Sequence, residues 1–68
     1  MPEPYDYLII SDTWRGISLH IYEDRYIGRF STVAQAAQAA RDMMNHDNFW
    51  PTLWLQEDRG EPQLYEDN

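Results

Sequence analysis

The stretch TVAQAAQAARDMMN, residues 32–45, decides the fold. Thr32, followed three residues later by Gln35, matches the T-x-x-Q pattern of a helix start. There the side chains satisfy backbone N–H groups that the first turn leaves without partners. Val33, Ala36, Ala37, Ala40, Met43 and Met44 then recur at the spacing of one helical face. Gln35, Gln38, Asp42 and Asn45 fall on the opposite face. An apolar stripe made mostly of alanine lets a helix lie close against a sheet. The run Asn45-His46-Asp47-Asn48 closes the helix, and Pro51 bars its continuation.

The chain before this helix reads as strands. Residues 5–11 carry Tyr7, Leu8, Ile9 and Ile10, and Asp12-Thr13-Trp14-Arg15-Gly16 supplies turn chemistry. Residues 17–22 alternate, with Ile17, Leu19 and Ile21 on one side and Ser18, His20 and Tyr22 on the other. A third strand, 25–30, follows Glu23-Asp24. With those two acids as a two-residue loop, Ile21 faces Tyr26, Leu19 faces Gly28 and Ile17 faces Phe30 on the helix side. On the other side Tyr22 faces Arg25, His20 faces Ile27 and Ser18 faces Arg29. Gly28 would then give the alanine stripe room. Glu-Asp is a poor two-residue turn, so a longer loop with a bulge, which would change these pairings, stays open.

After the helix, residues 52–57 form a fourth strand in which Leu53 and Leu55 alternate with Thr52, Trp54 and Gln56. Asp58-Arg59-Gly60-Glu61 is a turn, and Gln63-Leu64-Tyr65 a short fifth strand kept at an edge by Pro62. The expected architecture is a two-layer α+β domain of order β-β-β-α-β, with a further short strand. One helix packs on one face of an antiparallel sheet of four or five strands. A single domain spans residues 1–68, with 1–4 and 66–68 as flexible ends.

Composition narrows the chemistry. Cysteine is absent, which excludes disulfides, thiolate nucleophiles and cysteine-based metal sites. Twelve acidic residues against five basic ones, all arginine, give a net charge of -7. That balance opposes gripping nucleic acid or anionic lipid through bulk charge. The longest apolar run is Leu8-Ile9-Ile10, and the acidic, proline-broken start lacks the features of a secretion signal, so a cytoplasmic setting is expected. A chain this short buries little surface, which favours a homodimer.

The sheet face left bare by the helix would display His20, Tyr22, Arg25, Ile27, Arg29, Thr52, Trp54 and Gln56, with Trp14 and Trp50 in flanking loops. Trp, Tyr and Arg dominate binding hot spots. Trp14, Tyr22 and Trp54 are therefore the expected partner anchors. The acid pairs Glu23-Asp24 and Glu57-Asp58 would steer the encounter toward a basic partner, with Glu66-Asp67 a third such pair. Solubility alone also accounts for such acids. An aromatic sheet with arginines additionally suggests a single-stranded nucleic-acid platform, but without a basic cluster to offset the acids.

Catalysis finds little support. Ser18 and His20 lie two residues apart on one strand face, about 7 Å along an extended strand, too far for a hydrogen bond without a bend. Asp42 and His46 have the i, i+4 spacing of a metal pair, but two ligands do not make a site. Gly16, Gly28 and Gly60 are too scattered for a phosphate loop. No cofactor is implied. In layout the chain resembles small phage-encoded inhibitors, some anti-CRISPR proteins among them, which block nucleic-acid machines by binding their basic surfaces. The expectation is a non-enzymatic protein-binding module, an inhibitor or adaptor acting on a nucleic-acid-handling complex. A structural homodimer and a single-strand-binding sheet are the alternatives.

Overall fold

The computed structural model describes residues 2–22 and 25–66. Along the chain run β1 (Tyr7–Asp12), β2 (Gly16–Ile21), β3 (Arg25–Phe30), α1 (Val33–Asp47), β4 (Leu53–Glu57) and β5 (Gln63–Leu64). The strands form a single sheet in the order β3-β2-β1-β4-β5, with the helix packed on it. This is the two-layer α+β arrangement read from the sequence, with five strands.

Strand β1 sits at the centre because it is the most apolar. Tyr7, Leu8 and Ile9 are all buried, so both of its faces are covered over that length. Its neighbours run in different directions: β2 pairs with it antiparallel and β4 pairs with it parallel, Tyr7 beside Leu53 and Ser11 beside Glu57. The sheet is therefore mixed, with three antiparallel ladders and one parallel. A parallel neighbour needs a long crossover, and the β3-to-β4 connection through α1 provides one.

The helix begins as the capping pattern requires. Thr32 is extended (φ -139°, ψ 158°) and its Oγ1 accepts from the Gln35 N–H at 3.1 Å. The reciprocal bond goes one residue further back, from the Ser31 N–H to Gln35 Oε1 at 3.2 Å. The helix runs two residues past Asn45 to Asp47. Asn48 then takes a left-handed conformation (φ 56°), and the Phe49 N–H returns to the Met44 carbonyl at 3.1 Å. Ala36, Ala37, Ala40 and Met44 bury against Tyr7, Ile9, Leu19 and Leu53, with Ile9 and Leu19 fully enclosed. Burial raises the Tyr7 phenol above its ordinary pKa, the Asp47 carboxylate adds to that, and Arg25 opposes it. Gly28 does not serve the helix: a Cβ built there would meet only the Phe30 ring, at 3.9 Å.

Half of the expected hairpin register is observed. Ile17 pairs with Phe30, Ser18 with Arg29 and Leu19 with Gly28. The register then shifts, so that His20 pairs with Tyr26 and Ile21 with Arg25. The pairings expected for Ile21 with Tyr26, His20 with Ile27 and Tyr22 with Arg25 are thus replaced. A bulge reverses which side each following residue faces. Ile27 packs against the core, Arg25 moves to the helix side, and Tyr26 comes to the open side, 57% exposed. The Glu23-Asp24 loop itself, and residues 67–68 of the C-terminal end, lie outside the described residues.

Candidate functional site

The face opposite the helix is built from two cross-strand rows. Tyr26, His20, Leu8, Trp54 and Leu64 form one; Arg29, Ser18, Ile10 and Gln56 form the next. The two ends of this face differ in construction.

One end is clamped by Asp6, a buried carboxylate at 3% exposure. Its oxygens accept from the Glu3 N–H (2.8 Å), the Thr52 N–H (3.0 Å) and Trp54 Nε1 (2.9 Å). Its own backbone carbonyl accepts from the Tyr22 N–H at 2.8 Å. One residue thus ties the N-terminal turn, the end of β2 and the start of β4 together. Tyr22 and Trp54, both expected as anchors, are half-buried here. They line a hollow of 200 Å³ with Pro2, Glu61 and Pro62. The Trp54 indole N–H is committed to Asp6, so this ring has an internal structural task.

The other end carries the third expected anchor, Trp14, which is 93% exposed. Its turn is stiff despite that exposure. Asp12 Oδ1 accepts from the N–H groups of Trp14 (2.7 Å) and Arg15 (3.1 Å). These bonds, with the nearby Arg15 and Arg59 charges, hold the Asp12 carboxyl below its ordinary pKa. Asp58 Oδ1 accepts from Thr13 N–H (2.7 Å) and Thr13 Oγ1 (2.8 Å), and the Asp58 N–H donates to Ser11 O at 2.9 Å. Asp58 and Arg59 adopt positive φ (43° and 66°), and Gly16 ends the first turn at φ 89°. Asp58, expected to steer a partner, is exposed and joins two turns. Glu57 is exposed at the end of β4, and Glu23 and Asp24 lie outside the described residues.

Around Trp14 the topology gathers three of the five arginines. Arg15 and Arg29 line an open hollow of about 570 Å³ with Trp14, Ser18, His20 and Tyr26. Arg15, Ser18 and His20 also border an adjoining one of about 290 Å³ that Arg59 and Gln56 close. All three arginines are exposed, and among the described residues none of them makes an ion pair. No basic cluster stands in the sequence; the fold makes one from residues distant in the chain.

Ser18 and His20 meet, although the backbone spacing suggests that they would not. Ser18 Oγ and His20 Nε2 are 2.8 Å apart, at the point where the register shifts. The His20 ring meets Tyr26 edge-on, centroids 5.6 Å apart. β2 keeps an unbroken register with β1 through both residues, so the reach of the side chains, not a bend, closes the distance. A serine and a histidine in hydrogen-bond reach are two members of a nucleophile–base arrangement. They stand here in a shallow, solvent-open hollow.

Elsewhere, Asp42 Oδ1 accepts from Gln38 Nε2 at 3.0 Å, and His46 Nδ1 lies 3.2 Å from Asp47 Oδ1. Both are engaged locally, and among the described residues no group of three or more His, Asp or Glu could share a metal ion. A second exposed aromatic group, Tyr5, Phe49 and Trp50, lies at the clamped end, with Tyr5 and Phe49 edge to face at 5.8 Å. Among the described residues no helix is long and apolar enough to cross a membrane. Comparisons with protein families, curated proteins and solved structures return no match.

Proposed function

We propose that this chain is a non-enzymatic protein-binding module, an inhibitor or adaptor working in the cytoplasm, that docks through the Trp14 end of its bare sheet face. The observation that carries this reading is Trp14 itself. A large ring almost wholly in solvent, on a turn fixed by five hydrogen bonds that involve Asp12 and Asp58, is costly to expose and already ordered for binding. The acidic remainder of the surface suits approach to a nucleic-acid-handling complex, whose basic grooves would draw in a chain of net charge -7. Capture from the source cell with wild-type and Trp14→Ala protein side by side tests the reading. The wild type should retain a partner that the variant loses, with the two unfolding at the same temperature. A partner kept by Trp14→Ala, or a wild-type dimer that buries Trp14, would contradict it.

The gathered arginines favour one second reading, a sheet that stacks single-stranded nucleic acid on Trp14 and Tyr26. Binding of a labelled oligothymidylate that weakens steeply with salt would support it.

A further inference from the structure

Three arginines that make no ion pair among the described residues gather at one end of this face. Twelve acids are available, and Asp12 lies near enough for its titration to feel Arg15 and Arg59. Yet Asp12 Oδ1 faces the turn's own N–H groups, and Asp58 Oδ1 faces Thr13. These carboxylate oxygens are thus engaged by the turns, and although Asp12 borders the second hollow, neither it nor Asp58 pairs with a guanidinium. The Arg29 guanidinium folds across β2, where it would come within 3.3 Å of a Cβ on Gly16. Arg29 and Arg15 border one hollow, Arg15 and Arg59 the next, so the three charges lie around Ser18 and His20.

The chemistry of this end selects an oxyanion-bearing ligand with some apolar surface. Guanidinium is planar and weakly hydrated, and takes carboxylate in a two-point grip. Ser18 Oγ and His20 Nε2, 2.8 Å from each other, sit between the arginines. Trp14 (93% exposed) and Tyr26 (57% exposed) give walls for carbon. The patch is also short. Beyond it stand the exposed Asp58 and Glu57, and the chain as a whole carries -7. A long polyanion would leave the arginines within a few residues and meet carboxylates; a segment with two or three acids would not.

We propose that the Arg15–Arg29–Arg59 end of the sheet is a docking site for a short acidic segment of the protein partner. Its carboxylates lie against the guanidiniums and its apolar atoms against Trp14 and Tyr26. This rests on the reading of the Trp14 end as a protein-binding surface, and adds the chemistry of what lands there. The whole-protein charge acts at longer range, and the patch acts on contact, within the screening distance of about 8 Å at physiological salt.

The test is a titration of ¹⁵N-labelled protein with three probes of equal length. They are a blocked hexapeptide alternating Glu and Leu, its counterpart with Gln for Glu, and a hexathymidylate. The Glu peptide should shift the amides of residues 13–20 and 26–29, saturably and less at high salt. The Gln peptide should bind at least tenfold more weakly. Arg15→Ala and Arg29→Ala should each weaken the Glu peptide about tenfold, and Arg25→Ala, on the helix side, should leave it unchanged. Equal binding of the Glu and Gln peptides, shifts centred elsewhere, or tighter binding of hexathymidylate would overturn the proposal. Capture of a protein partner that survives Arg15→Ala and Arg29→Ala but is lost in Trp14→Ala would also overturn it, and would leave the binding-module reading standing.

Discussion

Replacing Asp6 by alanine tests how the open face is held flat. The carboxylate accepts three hydrogen bonds, from Glu3 N–H, Thr52 N–H and Trp54 Nε1, in a residue only 3% exposed. Each donor left without a partner costs about 1–3 kcal/mol. Water can reach part of the vacated space, so the low end applies, and three donors give about 3 kcal/mol. At about 0.05–0.15 kcal/mol per residue, the whole domain is stable by roughly 3–10 kcal/mol. The loss is thus a large fraction of the total. In a domain of this size each kcal/mol moves the midpoint by about 4–8 °C, so Asp6→Ala should melt roughly 12–24 °C lower. Thermal unfolding followed by tryptophan fluorescence reads this directly. Trp54→Phe removes one donor and keeps a ring, and should cost clearly less. A double-mutant cycle between the two positions should show coupling. Asp6→Ala melting within about 3 °C of the parent, or no more damaging than Trp54→Phe, would refute the account of the clamp.

Two further outcomes follow from the Trp14 turn. Gly16→Ala meets both a positive φ of 89° and the Arg29 guanidinium 3.3 Å from the new Cβ, so it should destabilise by about 1–2 kcal/mol, read by denaturant midpoint. Asp12 has its folded pKa held below its ordinary 3.8, so its contribution to the turn is complete above that value and lost as pH falls through the lower folded value. The Trp14 and Arg15 amide signals should therefore be flat from pH 8 to 5 and move only in stronger acid. Asp12→Asn should abolish the transition, and a midpoint above 3.8 would contradict the assignment.

The layers were legible because local and global signals agree. The T-x-x-Q cap, the alanine stripe and Pro51 all point to the same helix, and Ile17, Leu19 and Leu53 to the same buried side. What escaped sequence reading depends on pairing between distant segments. The parallel β1–β4 ladder leaves no mark in either strand. It nevertheless sets Ser11 beside Glu57, which brings the Asp58–Arg59 turn against the Trp14 turn. An antiparallel β4 would have put Arg59 at the far end from Arg15, and the arginine cluster would not exist. A one-residue bulge in β3 was foreseeable from the poor Glu-Asp turn, but its position was not. That position decides whether Tyr26 or Arg25 faces solvent beside His20. Trp54 was legible as sheet-facing. Its bond to Asp6 was not, because the two are 48 residues apart.

The central claim, that partners land on the Trp14 end of the bare face, is tested most directly by oxidative footprinting of the captured complex against the free chain. Both exposed aromatic groups react in the free chain, so each reports separately. The account predicts protection of Trp14 and Tyr26, with Tyr5, Phe49 and Trp50 still fully reactive. Protection of Tyr5, Phe49 and Trp50, with Trp14 oxidised as in the free chain, would contradict it.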